Sequence, residues 1–497
     1  MYERIEKNSN EEDRMNERKE RRLESLNSNL SIKSNPTTIN YVTGNKSYIK
    51  TSKEPYFTGE YTYANDYSKW KSNDTFPIFL SDATSIAIPK KVKRNIERLP
   101  LKLLKKIDDN KTVAIEKCLI IISNLTSTLF LDDNEYWKSL SSKKLDKQVK
   151  KGHDNTYVYK KVINALKYST NTTVPIIEVL KNYHGTDTYE NGVICKQYRL
   201  TSEYQNKNIV RYSLKTTECI DKRRNYVYSK LAKVFENPIG KNLISVYANI
   251  TLPTVGQILI KGKLLAKKKY RNKKGKLLTC LNSKAKDYYS DSLNRTFVEE
   301  NIKQFNYLTS GGYMIPIVGN SSSGGRVVDS FNLMPSWIRK MCKIDGEEIV
   351  ELDYSALHPN IAISIFKGEQ RYLTHSQLAE VLGVDEAIVK TEHLSFFNKH
   401  PKHMIQSDLF HYYQNNEPQM LKLLIEDKNK SDYKNTSRLF FEKEVDIMTS
   451  CIKVINSMHI YVLYVYDALY CKKSDEKIVR DVMNKVIIEN NVFTQVK

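Results

Sequence analysis

Two aspartates, Asp353 and Asp467, stand where strand-like patterns end. Asp353 closes the run 349–352, and Asp467 follows the apolar run 460–465. A carboxylate at the end of a buried strand is costly to remove from water unless a cation meets it. A single aspartate in such a place is usually a turn residue, but recurrence at two apolar strands favours a metal site. Two such carboxylates can hold a pair of divalent ions about 4 Å apart, as in two-metal phosphoryl transfer.

The elements around both aspartates must place them side by side. After Asp353 the chain turns into an apolar helix, whereas 468–470 continue as a second apolar strand and a helix follows at 474–487. The pattern predicts a hairpin with Asp467 near its tip. Mg²⁺ suits the pair because it takes few carboxylates and completes its shell with water and substrate phosphates. We therefore expect two Mg²⁺ ions at Asp353 and Asp467.

Other side chains lie between and before the aspartates. Lys390, Leu394 and Phe397 recur at i, i+4 and i+7, which predicts one shared helix face. A lysine there could bind a triphosphate while the apolar residues cover a base. A second set precedes the first aspartate and is expected either to contact nucleic-acid phosphates or to organise the domain: Arg326, Asn332 and Arg339.

The charge balance points to a polyanionic partner. The 497-residue chain has 79 Lys and Arg against 57 Asp and Glu, a net charge of +22 with histidine neutral. Nucleic acid is the leading partner for such a surplus. The densest basic run, 260–276, is either a phosphate-binding surface or a solvated helix face or flexible loop. Its candidate nucleic-acid contacts are Lys267, Lys268, Lys269, Arg271, Lys273 and Lys274.

The cysteines and the apolar runs exclude several classes of protein. The seven cysteines form no CxxC pair and no zinc-type cluster with histidine, so they are expected to be free thiols in a reducing cytoplasm. The longest apolar stretch, 113–131, carries Glu116 and Lys117 and is interpreted as a buried helix, not a membrane span. No membrane partner and no targeting segment are expected.

Composition shifts divide the chain into four predicted parts. Residues 1–75 are a flexible polar tail, 76–185 a helical domain, and 186–310 a basic nucleic-acid-binding region. That third region includes a predicted hairpin over 190–215. Residues 311–497 hold the candidate site after a Gly/Ser-rich edge.

The ordered set of motifs over 320–490 resembles the palm and fingers of the family-A, DNA polymerase I-like, DNA polymerases. It also resembles the reduced palm of replication proteins from phages and bacterial mobile elements. The matching residues are Gly325-Arg326, Asn332-Leu333, Arg339, Asp353-Tyr354-Ser355, Lys390-Thr391, Phe396-Phe397 and Val465-Tyr466-Asp467-Ala468-Leu469.

The resemblance implies an α+β, right-hand polymerase fold. Its parts are a palm of antiparallel sheet plus helices, trimmed fingers and a mainly helical N-terminal, thumb-like region. It implies a DNA template-primer and deoxynucleoside triphosphates as partners, together with replication accessory proteins. It also adds the Tyr354 backbone carbonyl to the metal ligands Asp353 and Asp467.

The chain departs from the family at four positions. Glu386 replaces an arginine, so Arg371 or Lys399 becomes the candidate contact to the triphosphate. Asn398 replaces a tyrosine, and Tyr466 replaces the histidine before the last aspartate. His358 stands where the family has the carboxylate that excludes ribose, which makes it the candidate sugar gate.

Three functions follow from these patterns. The first is a template-directed DNA polymerase that serves a phage or mobile element. The second keeps the fold but makes RNA, as a single-subunit RNA polymerase or primase, and the altered gate at His358 motivates it. The third is a non-catalytic replication initiator with a degenerate palm, which the replaced family residues motivate.

Overall fold

The computed structural model describes residues 85–130, 136–150, 157–170, 173–189, 194–205, 207–281, 294–309, 316–430 and 432–497. The predicted tail over 1–75 lies outside the described residues.

Within these ranges the strands are β1 (Ser85–Pro89), β2 (Lys138–Ser139), β3 (Ile177–Val179), β4 (Gln197–Leu200), β5 (Ile209–Ser213), β6 (Ile250–Thr251), β7 (Leu277–Thr279), β8 (Arg295–Phe297), β9 (Ile317–Val318), β10 (Val327–Val328), β11 (Lys343–Ile344), β12 (Glu347–Asp353), β13 (Leu463–Val465) and β14 (Ala468–Lys472). The α-helices are α1 (Val92–Glu97), α2 (Leu101–Ile107), α3 (Lys111–Thr126), α4 (Ser142–Val149), α5 (Val158–Leu166), α6 (Ser202–Gln205), α7 (Thr217–Glu236), α8 (Pro238–Tyr247), α9 (Val255–Lys267), α10 (Val298–Thr309), α11 (Ser330–Leu333), α12 (Ser336–Arg339), α13 (Leu357–Ile365), α14 (His375–Leu382), α15 (Glu386–Phe396), α16 (Pro401–Met404), α17 (Asp408–Asn416), α18 (Pro418–Lys430), α19 (Asn435–Ser457) and α20 (Glu476–Glu489).

A first hydrophobic cluster is built around α3, between residues 86 and 219. The helix begins at Asn110, whose side chain accepts a hydrogen bond from the Thr112 N–H at 2.9 Å. Together with residues 127–130 it is long and apolar enough to cross a membrane by length and composition alone, but 72% of the most apolar window is buried. Its two buried charges are paired: Lys117 with Asp108 at 3.0 Å, and Glu116 with backbone N–H groups near residue 215. This is the buried helix that the sequence predicts.

The predicted hairpin over 190–215 does not form. Strand β4 pairs with β2 and β3, and β5 pairs with β1 in the register Ser85↔Ser213. Helix α6 separates β4 from β5. Alternating residues correctly indicated two strands, but the fully buried β1 supplies the partner for β5 from more than 100 positions away.

A second cluster, between residues 227 and 492, surrounds a five-stranded sheet in the order β13-β14-β12-β11-β6. Every pairing in this sheet is antiparallel. All residues of β13, an edge strand of this sheet, and most of β14 are buried, because helices cover them. Helices α19 and α20 contribute to that cover.

The described residues form a mixed α+β structure with several small antiparallel sheets, which agrees with the predicted fold class. The predicted domain boundaries stay predictions. The two clusters divide the chain differently, because β4, β5 and the start of α7 pack with the first cluster, whereas the rest of α7 and α8 to α10 pack with the second.

Candidate active site

The structure brings Asp353 and Asp467 together on neighbouring strands. Asp353 is the last residue of β12 and lies opposite Ala468, the first residue of β14. Asp467 lies in the two-residue turn between β13 and β14, and its carbonyl oxygen accepts a hydrogen bond from the Tyr354 N–H at 3.3 Å. Both carboxylates therefore lie at the same end of the central sheet, although 114 positions separate them (467 − 353) in the sequence.

Like charge is concentrated at these two side chains. Burial and the neighbouring Asp467 raise the pKa of Asp353 well above its ordinary value. Burial and Glu444 raise the pKa of Asp467 in the same direction. The Oδ1 atom of Asp353 is buried and has no hydrogen-bond partner among the described residues. A cation between the carboxylates would relieve both the repulsion and the unsatisfied oxygen.

These oxygen donors fit Mg²⁺, which prefers one or two carboxylates and keeps several waters. No cluster of three or more His, Cys, Asp or Glu side chains that could hold a metal occurs in the described ranges. An ion at this end of the sheet would therefore have the two aspartates and oxygens from water or substrate as its ligands. Tyr354 is well anchored for the predicted carbonyl contact, because its hydroxyl donates to the Met483 carbonyl at 2.8 Å.

Both turns beside the aspartates use left-handed backbone. Tyr466, directly before Asp467, has φ 57°, and Ala356, three residues after Asp353, has φ 49°. For residues other than glycine this conformation costs about 1–2 kcal/mol. Such strain persists only where the surrounding structure enforces it.

Sequence analysis missed a buried carboxylate beside the site, Glu444 on α19. Its side chain is 1% exposed. Arg326 donates to it from Nε at 2.7 Å and also from a terminal nitrogen, and the Nε2 atom of His358 lies 2.8 Å from Oε2. Burial alone would raise the pKa of Glu444, but the hydrogen bonds from His358 and Arg326 bring it below its ordinary value.

Arg326 therefore makes contacts within the fold, which fits the organising role that the sequence leaves open for it, and its contact with nucleic acid stays a prediction. Its guanidinium is paired with Glu444 and packs over the ring of Phe441 at 3.8 Å and that of Tyr466 at 4.9 Å. Arg326 thus connects helix α19 to the turn that carries Asp467. His358, the candidate sugar gate, is 29% exposed and is held by the same carboxylate.

Asn332 and Arg339 also serve the fold, in place of the predicted nucleic-acid contact. The Asn332 side chain accepts from the Asp329 N–H at 3.0 Å, and Asp329 accepts from the Asn332 N–H at 2.8 Å, which caps the short helix α11. Arg339 is 6% exposed, and its guanidinium lies over the rings of Phe331 and Tyr470 at about 6 Å. The sequence pattern leaves this organising role open.

Helix α15 presents two of its three predicted nucleotide contacts to solvent. The Lys390 side chain is 51% exposed, and Leu394 is 77% exposed one turn later. Phe397 is a correction: it is 3% exposed and packs on Phe440, with ring centroids 5.0 Å apart. Phe397 continues the buried stripe of Val389, His393 and Phe396, so it faces the core and not the exposed side that carries Lys390.

The basic run is ordered, contrary to the alternative of a flexible loop. Helix α9 ends at Lys267, and residues 271–277 form a tight turn in which the Asn272 side chain accepts from two backbone N–H groups. Lys273 reaches Glu351 on β12 at 3.4 Å, two residues before Asp353. The remaining candidates in the run are exposed: Lys267, Lys268, Lys269, Arg271 and Lys274.

No family model matches this sequence, and no curated protein matches it. Among solved structures, the chain is similar to the POL domain of Pol1 from M. smegmatis in complex with DNA primer-template and dNTP. The TM-score is 0.37 at 12% identity, over 56% of this chain and 72% of that one. A likeness this low establishes neither a shared fold nor a shared function.

The buried face of α15 predicts loss of stability in acid. His393 is 6% exposed and lies 5.1 Å from His375 between ring centroids. Burial, with His375, lowers the pKa of His393 to about 3, and burial, with Lys390, lowers that of His375 to about 4. Both folded values lie below the unfolded value, so stability is complete above pH 6.5 and falls as the pH drops towards 3. The slope is about 1.4 kcal/mol per pH unit for each proton taken up.

The measurement is the denaturation midpoint of the chain between pH 7.5 and 4.5. His393→Phe should flatten the curve because it removes one of the two titrating rings. His184→Phe, which replaces an exposed histidine, is the control and should leave the slope unchanged. Equal slopes for all three proteins would contradict the assignment.

Proposed function

We propose that this chain is a template-directed DNA polymerase, which transfers a nucleotide to the 3′-hydroxyl of a primer. The observation that carries the proposal is the pair Asp353 and Asp467. They lie on neighbouring antiparallel strands, repel each other, and leave one buried oxygen without a partner among the described residues. The motif resemblance over 320–490 supplies the reaction class and the role in phage or mobile-element replication.

Asp353 and Asp467, with the Tyr354 carbonyl, would hold Mg²⁺. When bound, the ions lower the pKa of the primer hydroxyl and neutralise the departing pyrophosphate. Lys390 binds the triphosphate from the exposed face of α15, and Leu394 covers the base. Arg326 and Glu444 fix the turn that carries Asp467, which keeps its carboxylate aimed at the primer end.

The basic turn at 271–277 and the end of α9 would bind the template-primer backbone. Lys273 lies beside Glu351 on the strand that carries Asp353, so a phosphate bound there is close to the reacting end. Binding through such lysines depends on salt, because each phosphate contact releases a counterion.

A primer-extension assay with Mg²⁺ tests the proposal. Wild-type protein is given a primed DNA template with either deoxynucleotides or ribonucleotides, and then an unprimed template. Extension with deoxynucleotides supports a DNA polymerase. Preference for ribonucleotides, or synthesis without a primer, supports an RNA polymerase or primase, for which His358 in the gate position is the relevant feature. DNA binding without incorporation of either set supports the non-catalytic initiator.

The initiator is the less favoured function because of the same two aspartates. Half-buried carboxylates that repel each other destabilise a fold unless a ligand offsets them. A protein that only binds DNA has no need to keep both.

Removal of the negative charge of Glu386 is predicted to strengthen nucleotide binding. It accepts from Lys390 at 2.6 Å, and hydrogen bonds from Lys390 and Ser376 lower its pKa to about 2. A triphosphate must therefore displace a carboxylate from Lys390. Glu386→Gln is expected to lower the KM for the deoxynucleotide about two- to fivefold, the range for loss of one exposed ion pair. Steady-state single-nucleotide incorporation measures it.

Glu380→Gln, on the neighbouring helix α14, is the matched control because it removes an exposed carboxylate elsewhere. Its KM should equal that of wild type. An increase in KM for Glu386→Gln would mean that Glu386 orients Lys390 and does not compete with the nucleotide.

A further inference from the structure

Residues 492–497, the tail segment, pair directly with the strand end that carries Asp353. The Lys497 N–H donates to the Asp353 carbonyl at 2.9 Å, and the Asp353 N–H donates to the Lys497 carbonyl at 3.4 Å. The Ser355 N–H donates to the Gln495 carbonyl at 2.9 Å, and Tyr354 and Val496 form an antiparallel bridge. Asp353 thus has β14 on one side and the tail segment on the other.

Further contacts hold the tail segment in place. Val492 is fully buried, and the Arg480 guanidinium donates to the Val496 carbonyl at 2.8 Å. The Thr494 hydroxyl donates to the Ser355 carbonyl. A segment with this many partners is part of the scaffold around the site.

The tail segment also reaches the residues that lead to α15. The Arg371 guanidinium lies 5.3 Å from the centre of the Phe493 ring, and the Gln495 side chain donates to the Tyr372 hydroxyl at 3.4 Å. It therefore connects the carboxylate strand to the region that carries Lys390. Arg371, which the sequence assigns to the triphosphate, is placed by this connection.

The pairing determines where Lys497 points. Residues directly opposite in an antiparallel pair project their side chains to the same face. Lys497 and Asp353 are opposite, so the exposed Lys497 side chain lies on the face of the sheet that presents the Asp353 carboxylate. Its charge also acts on Glu386, the present partner of Lys390. Lys390 is thus the direct partner of this half-buried carboxylate, and Lys497 adds a second positive charge on the face that presents the Asp353 carboxylate.

We propose that Lys497 is a second triphosphate-binding residue, which acts with Lys390 on the incoming nucleotide. This rests on the proposed function. In the nucleotide-free protein Glu386 is the ion-pair partner of Lys390. A bound triphosphate takes its place and accepts hydrogen bonds from both ammonium groups, while Asp353 and Asp467 hold the metal ions on the adjoining strands. Lys497 is a binding residue and takes no part in bond formation.

The test is single-nucleotide incorporation at saturating primer-template, with the deoxynucleotide varied. Lys497→Ala is expected to raise the KM about 10- to 100-fold, the value of one or two charge-assisted hydrogen bonds. The kcat and the Kd for primer-template should change less than about threefold, and Lys497→Arg should recover most of the loss. Lys105→Ala, an exposed lysine on α2, is the matched control and should leave the KM unchanged.

The double variant Lys390→Ala/Lys497→Ala tests whether both lysines act on one ligand, because residues that share a partner give non-additive effects. An unchanged KM for Lys497→Ala overturns the proposal. So does a lower requirement for Mg²⁺ at unchanged KM, which would show that Lys497 only balances the charge of Asp353. A parallel fall in thermal stability for both Lys497→Ala and Lys497→Arg would also overturn it, since the role would then be structural.

Calorimetric titration with the magnesium salt of a deoxynucleoside triphosphate separates this proposal from the proposed function. If wild-type protein binds the nucleotide but extends no primer, the polymerase assignment fails. Weaker binding by Lys497→Ala in the same titration would still support the lysine site. If wild-type protein extends primers and Lys497→Ala binds the nucleotide normally, the polymerase stands and the lysine site fails.

Discussion

Asp353→Asn is expected to abolish primer extension, with a loss on the order of 10³-fold or more in kcat, while binding of primer-template stays intact. Asp467→Asn should behave in the same way. Each change keeps the shape of the side chain but removes one of two anionic metal ligands, so the site no longer holds Mg²⁺ in place. Primer extension and DNA binding in a mobility-shift assay are the two measurements.

Stability separates this result from simple unfolding. Without metal, the two carboxylates repel each other, so replacing one by an amide should leave the melting temperature unchanged or raise it. Asp481→Asn, an exposed aspartate on α20, is the matched control and should keep full activity. Full extension by either site variant would remove the two-metal assignment. A lower melting temperature with lost DNA binding would point to a structural role.

Glu444→Gln is expected to destabilise the chain by about 3–5 kcal/mol, the range for breaking a buried ion pair on one side. Glutamine fills the same space but cannot carry the charge that Arg326 and His358 share. Arg326 would then keep a largely buried, unpaired guanidinium beside Phe441 and Tyr466. Activity should also fall, because the turn before Asp467 loses its anchor. The denaturation midpoint and primer extension measure the two effects.

The same helix offers a matched control. Glu442 pairs with Arg438 at 3.4 Å, and both side chains are 45% exposed. Glu442→Gln should cost less than about 1 kcal/mol. The double variant Arg326→Met/Glu444→Met should recover much of the stability, since replacing a whole buried pair by apolar residues is often neutral, but not the activity. If Glu444→Gln and Glu442→Gln have equal free energies of unfolding, the pair of Glu444 with Arg326 contributes no more to stability than the exposed pair of Glu442 with Arg438.

The sequence predicts that both aspartates lie at strand ends, and the structure places them there, because this signal is local. A strand that ends in a charged residue shows itself in a few neighbouring positions, and so does the hairpin around Asp467. The sequence leaves the order of the basic run open, because a run of charged residues alone does not distinguish a helix face from a flexible loop. The predicted pairing of β4 with β5 in a hairpin was wrong. Strand β5 pairs with β1, because the partner of a strand depends on buried residues far along the chain.

Two kinds of residue escaped prediction for other physical reasons. Glu444 falls on the buried face of α19, between Phe440 and Ile447, where periodicity predicts an apolar residue. A charge at such a position is itself a signal, because it must be paired. The sequence leaves two roles open for Arg326 and Asn332, because side-chain chemistry alone cannot distinguish an internal partner from an external one. The tail segment carries too few apolar residues in register for its pairing with Asp353 to be predicted.

The left-handed residues Tyr466 and Ala356 have a consequence for how this site can change by mutation. Glycine at either position would relax the main chain and so remove a local cost. It would also free the turn that aims each aspartate, and at 466 it would delete the ring on which Arg326 rests. Substitutions that relieve this backbone strain are thus the ones that would disturb the positions of the two aspartates. At positions 356 and 466, selection for stability would favour glycine, whereas selection for activity would favour the residues that are present.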